Sequence, residues 1–123
     1  MQLPDVGDIV WAELDPIMGT EQAGRRPVLV LTPRGYHEKS SRSIICPITS
    51  KAGFWPFNVD LPAGLKTSGV VLVDQVRTID RRQRMFDFIE TAPNDVTGRV
   101  LGRLASLLGI NLVAIDAGPD ASS

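Results

Sequence analysis

The sequence predicts a small, strongly curved, mainly antiparallel β-barrel with one C-terminal α-helix. Three observations carry this. Short apolar or alternating runs recur along most of the chain, as β-strands require. Gly- and Pro-bearing turns separate them. Only near residues 93–109 does the apolar spacing change to that of a helix. At 123 residues the chain suits one domain and is short for two.

The elements follow in order. Residues 6–14 (VGDIVWAEL) read as a first strand, ended by Asp15-Pro16. Residues 15–25 hold two glycines and a proline and read as a loop. Residues 27–31 (PVLVL) read as a buried strand stopped by Pro33, and residues 33–41 as a polar turn. Residues 42–50 (RSIICPITS) make a third strand, with Pro47 expected to demote its far end to an edge or bulge. A loop follows at 51–55, then a half-exposed strand at 57–61. Residues 69–76 (GVVLVDQV) read as a central strand and 84–89 (RMFDFI) as an alternating one, with Phe86 and Phe88 on one face. Val96, Val100, Leu101, Leu104, Leu107 and Leu108 recur at helical spacing, with Arg99 and Arg103 opposite. Pro93 is placed to open that helix and Gly109 to close it. Residues 1–109 therefore form the domain, and 110–123 a partly disordered C-terminal extension.

Composition narrows the function. Hydrophobic residues make up 43% and charged residues 22%, which suits a globular core. No apolar stretch approaches the ~20 residues that span a bilayer, and no basic-then-apolar leader opens the chain. One cysteine, Cys46, allows no intrachain disulfide, and its apolar run marks it as a small buried hydrophobe. These features lead us to expect a cytoplasmic protein with no membrane partner. The net charge of −1 argues against a generally basic coat, so any nucleic-acid site must be a local patch.

Familiar catalytic signatures are missing. The single histidine, His37, excludes a two-histidine ribonuclease and reads as an exposed loop residue. No Cys/His or carboxylate cluster has metal-ligand spacing, and there is no phosphate-cradling glycine loop. Polar density concentrates instead in Gly19-Thr20-Glu21-Gln22-Ala23-Gly24-Arg25-Arg26, just before the buried strand. An arginine at a strand mouth has a rigid base, and its planar fork suits a phosphate. Glu21 either orients it or handles a proton; the alternative is a solvated loop with an ordinary ion pair. Thr49, Ser50 and Lys51 offer two hydroxyls beside a cation, or else a simple strand-end turn. Asp74 and Gln75 interrupt an apolar strand and need partners or a site. Residues 80–84 (DRRQR) form a basic run: a solvated face, or a patch on a nucleic-acid backbone. Phe54, Trp55 and Phe57 either stack on bases or cap the barrel.

Taken together, these segments resemble the MazF/PemK family of toxin endoribonucleases. The resemblance rests on Gly7-Asp8-Ile9-Val10-Trp11, the Glu21-Gln22-Ala23-Gly24-Arg25-Arg26-Pro27 segment, Pro47-Ile48-Thr49-Ser50 and Asp74-Gln75-Val76-Arg77. It covers about residues 5–109, in order. It implies an SH3-like barrel, a homodimer, no cofactor, and sequence-selective cleavage of single-stranded RNA by attack of the 2′-hydroxyl. It further implies Arg26 as the central catalytic residue, Thr49 as its partner at the phosphate, and Glu21 in support. Gly19, Thr20, Arg25, Ser50, Lys51, Trp55, Phe57, Asp74, Gln75, Arg82 and Arg84 are the expected RNA contacts. A cognate antitoxin with an acidic C-terminal segment is the implied inhibitor, docking over residues 15–25 and pairing with Arg25, Arg81, Arg82 and Arg84. The competing readings are a non-catalytic barrel that binds a protein target, as in the CcdB family, and a peptide-binding adaptor.

Overall fold

The computed structural model describes residues 2–14, 24–83 and 86–111. Among them seven strands form one curled antiparallel sheet: β1 (Asp8–Leu14), β2 (Gly24–Val30), β3 (Arg42–Thr49), β4 (Asn58–Asp60), β5 (Val70–Leu72), β6 (Arg77–Asp80) and β7 (Phe86–Thr91). Two helices accompany them, the single turn α1 (Arg34–His37) and the long α2 (Asn94–Leu107). The order is β4-β5-β3-β2-β1-β7, with β6 also paired to β3.

β3 organises the sheet. Its first half pairs with β6 through Ile45, and its last two residues pair with β5 from Ile48. This explains Pro47, which sits buried inside the strand rather than at an edge or bulge. The Ile44 carbonyl accepts from Leu31 N and the Ile44 N–H reaches Thr32, so even-numbered residues of β3 bond towards β2. The missing N–H of Pro47 therefore points to the other edge, in the gap where β6 has ended and β5 has yet to begin.

The two sheet faces bury separate cores. Ile9, Leu29, Cys46, Ile48, Val71 and Val73 pack against Val96 and Val100 of α2. Val10, Ala12, Leu14, Val28, Val30, Ile45 and Ile79 pack on the opposite face, with Phe86 against them. Cys46 is fully buried, as its sequence context suggested, and burial pushes its thiol up to about 12.

Several elements differ from the sequence reading. β2 begins at Gly24, so Arg25 and Arg26 lie within the strand rather than in the preceding loop. Residues 70–76 are not one strand: β5 stops at Leu72, and Val73–Gln75 form a 3₁₀ turn that carries Asp74 and Gln75. β6 was not anticipated, because only Ile79 of its four residues is buried and the polar side chains mask the pattern. In β7, Glu90 pairs with Ile9 but Phe88 pairs with Val10, so Ile89 is a bulged extra residue. Phe86 and Phe88 keep one face, across from Ala12 and Val10, with Phe86 packed against the core and Phe88 exposed. In α2 only Val96, Val100 and Ala105 are buried, and Leu101, Leu107 and Leu108 face outward. Pro93 precedes the first helical residue and Gly109 ends the helix at φ 74°, with Ile110 N bonding back to the Ala105 carbonyl.

The 33–41 segment gives the sharpest correction. His37 is only 3% exposed. Its Nδ1 donates to the Pro4 carbonyl at 2.8 Å, and the one lone pair of its Nε2 is shared by the hydroxyls of Thr32 (2.7 Å) and Ser43 (2.8 Å). Arg81 lies over this network. Its guanidinium donates to the Arg42 carbonyl and Ser43 Oγ, and to the carbonyls of His37 and Ser40. Arg81 is thus a staple joining α1, β3 and β6, engaged inside the fold rather than offered to a partner.

Candidate active site

The site forms where β2 starts and β3 ends. In the pairing of these strands Val28 lies across from Pro47. Two residues beyond this pair, Arg26 near the start of β2 and Thr49 at the end of β3 stand past the last paired residues, where the two strands open. Thr49 is buried. Its Oγ1 donates to the Lys51 carbonyl at 3.2 Å and accepts from Lys51 N at 3.3 Å, which turns the chain sharply out of the strand. Gly69 packs behind it. A Cβ there would collide with the Thr49 carbonyl oxygen, and φ is +121°, so the position needs glycine.

Beside this pair lies a cleft of about 300 Å³. Trp11, Arg25, Arg26 and Pro27 contribute one wall from β1 and β2. Ile48, Ser50 and Ile89 join them, and the turn after β4 adds Lys66, Thr67 and Ser68. Arg25 stacks over Trp11 at 4.9 Å from the ring centre and sits 3.7 Å from Asp87. Trp11 pairs with both Pro27 and Asp87 across the sheet, so this stack follows from strand register.

A second group of expected residues gathers at the 3₁₀ turn. The Trp55 indole N–H donates to Asp74 Oδ2 at 2.8 Å, and Trp55 meets Phe57 at 6.1 Å between ring centres. Trp55 remains 50% exposed and Phe54 96%, so flat apolar surface is available to a ligand. Asp74 therefore fixes the aromatic loop to the sheet. Arg82 is placed differently. It pairs with Asp80, which lies across from Arg42 at the start of β3. Thr49 stands at the other end of that eight-residue strand, roughly 20 Å away at about 3.3 Å per residue. Gly19, Thr20, Glu21 and Arg84 lie outside the described residues. Lys66, Thr67 and Ser68 were missed by sequence reasoning, since an ordinary polar turn carries no signal of what it faces. Among the described residues no three His, Cys, Asp or Glu side chains are grouped to hold a metal ion. None of the described helices is long and apolar enough to cross a membrane.

A curled antiparallel sheet with a terminal helix, bearing arginines and hydroxyls at adjoining strand ends, defines an SH3-like barrel with a polar, arginine-bearing mouth. The chain belongs to the family described as PemK-like, MazF-like toxin of type II toxin–antitoxin system, whose model matches residues 5–108. It is 43% identical over 82 residues to the endoribonuclease toxin MazF of Escherichia coli strain K12, covering 67% of this chain and 73% of that protein. It is 40% identical over 106 residues to the E. coli endoribonuclease PemK, covering 83% and 80%. The crystal structure of MazF from Deinococcus radiodurans superimposes with a TM-score of 0.83 at 48% identity, covering 87% of this chain and 97% of that one. A MazE–MazF complex from the same organism gives a TM-score of 0.79 at 45% identity, covering 88% and 98%.

Proposed function

We propose that this chain is a toxin endoribonuclease that cuts single-stranded RNA sequence-selectively, without a metal ion, and is silenced by a cognate antitoxin. The observation that supports the reading is the cleft that Arg26 lines together with Ile48 and Ser50, the two neighbours of Thr49 in the chain. In the reaction the RNA 2′-oxygen forms a bond to the adjacent phosphorus, and the bond from phosphorus to the 5′-oxygen breaks. The products are a 2′,3′-cyclic phosphate and a 5′-hydroxyl. A proton leaves the 2′-hydroxyl and one arrives at the departing oxygen. Arg26 stabilises the charge that builds on the phosphate oxygens, because a guanidinium is a weak base and a strong double donor. The Thr49 hydroxyl holds the same phosphate, and Glu21 supports the proton transfers.

The RNA strand runs from this mouth over Ser50 and Lys51 towards Trp55 and Phe57, whose rings stack on bases. Asp74 and Gln75 shape that end, and Gly19, Thr20 and Arg25 border the other. Arg82 and Arg84 contact the backbone further out. The working unit is a twofold homodimer in the cytoplasm. The antitoxin's acidic segment covers residues 15–25, pairing with Arg25, Arg82 and Arg84 but not with Arg81.

The test is incubation of purified protein with a long single-stranded RNA in EDTA. Wild type should yield fragments ending in cyclic phosphate. Arg26→Ala should lower the rate by about 100-fold or more, as loss of a charge-stabilising donor does. Equal survival of the RNA with both proteins overturns the proposal.

A further inference from the structure

The turn that bears Lys66, Thr67 and Ser68 closes the cleft beside the Arg26–Thr49 pair, and it is fastened there with unusual care. One oxygen of Glu90 accepts from Lys66 N at 3.0 Å, and the other accepts from Thr67 N at 2.8 Å. Two successive backbone donors on one carboxylate fix both the position and the tilt of the turn. Burial works against the charged carboxylate, yet these donors outweigh it and hold Glu90 below its usual pKa. The base of the turn is closed by Leu61 N donating to the Gly69 carbonyl at 2.9 Å. Gly69 in turn packs directly on the Thr49 carbonyl. The turn is therefore indexed to the catalytic threonine through one residue.

The bulge in β7 makes this clamp possible. With Ile89 as the extra residue, Ile89 lines the cleft and the next residue, Glu90, reaches the turn. Bulges beside functional sites commonly re-aim side chains in this way. The clamp holds an exposed lysine and two hydroxyl residues over a floor that includes Trp11, Pro27 and Ile89. Arg25 lines the same cleft but is already stacked on Trp11 and beside Asp87. Lys66 thus brings the cleft, besides Arg25 and Arg26, a third cation on a long, adjustable stem. A cation and hydroxyls over an apolar floor match the two halves of a nucleotide, a phosphate and a flat base.

We infer that this cleft is a nucleotide subsite next to the scissile bond, in which Lys66 contacts an RNA phosphate and Glu90 acts as the positioning residue that holds it there. The inference rests on the endoribonuclease reading. Ser50 lines the cleft immediately after Thr49, so the subsite adjoins the reacting phosphate. The contact is to backbone, and it strengthens binding without selecting a base.

The experiment uses a short fluorescein-labelled RNA spanning a cut site mapped with wild type. Binding is followed by anisotropy across a salt series in the Arg26→Ala background, which keeps the RNA whole. Lys66→Gln should reduce the slope of log affinity against log salt by about 0.7, the value for one lost phosphate contact on a single strand. In cleavage by the otherwise wild-type enzyme, Lys66→Gln should raise KM several-fold with kcat little changed. Lys66→Arg should restore both the slope and KM. Glu90→Gln should raise KM in the same way, because an amide has one acceptor oxygen for two donors. Wild-type slope and KM in Lys66→Gln overturn the subsite, as does a variant that weakens only antitoxin binding. Wild-type KM in Glu90→Gln overturns the positioning role. Absence of cleavage by wild type would instead remove the endoribonuclease reading itself.

Discussion

Arg81 and Arg82 are neighbours in a basic run, and the structure predicts opposite consequences for losing them. Arg81 makes three guanidinium bonds of 2.9–3.0 Å, to the Arg42 carbonyl, Ser43 Oγ and the Ser40 carbonyl, and a longer one of 3.3 Å to the His37 carbonyl. Removing it leaves acceptors on two segments without their donor, one of them the fully buried Ser43 hydroxyl. At about 1 kcal/mol for each of the three short bonds, Arg81→Met should cost about 3 kcal/mol. For a domain of this size that is a fall in Tm of about 12 °C. Among the described residues Arg82 pairs only with Asp80, two residues away, and its side chain is 73% exposed. Arg82→Met should therefore leave the unfolding midpoint close to that of wild type. Arg81→Lys should recover less than half of the loss, because one ammonium cannot span acceptors that the planar fork reaches together. Urea unfolding of the purified variants measures all three. A loss under about 1 kcal/mol in Arg81→Met, or equal instability of the two methionine variants, would show that the Arg81 guanidinium does not staple these segments.

Two further predictions concern other unusual positions. Gly64 and Gly69 both have positive φ, but only at Gly69 would a Cβ strike backbone. Gly64→Ala should cost about 1 kcal/mol of conformational strain and Gly69→Ala more than about 3 kcal/mol, so equal midpoints in denaturant melts would show that Thr49 is not held by this contact. His37 is pushed below its ordinary value of 6.5 chiefly by burial, opposed by the Pro4 carbonyl and reinforced by Arg81. Its neutral form belongs to the folded state, so stability should be level above pH 6.5 and should decline below it until the folded pKa is passed. That decline should vanish in His37→Gln, and its persistence there would assign it to another group.

Much of the fold was legible because it depends on local pattern. The run PVLVL must be buried somewhere, and it became a strand whose residues enter both cores. Val96 and Val100 at helical spacing must face the sheet, and they do. The same spacing misled for Leu101, Leu107 and Leu108, because periodicity defines a stripe but not its width. The core takes up Val96 and Val100, with Leu104 packed against it, and leaves Leu101, Leu107 and Leu108 exposed. Arg26 and Thr49 were legible through motifs alone. Arg26 near the start of β2 and Thr49 at the end of β3 lie at the ends of neighbouring strands.

Local pattern along the chain sets the strand-rich core, the terminal helix, the buried cysteine and the polar segments around Arg26 and Thr49. Only the tertiary structure decided what polar residues far apart in the chain do for one another. His37 is buried because Pro4, Thr32 and Ser43 come from three segments to satisfy it. Pro47 is tolerated inside a strand because two partners leave a gap there. Lys66 belongs to the cleft because Glu90, 24 residues later, fastens its turn. In each case the burial or placement of a polar group depends on its long-range partners. Periodicity along the chain does not record which partners will meet.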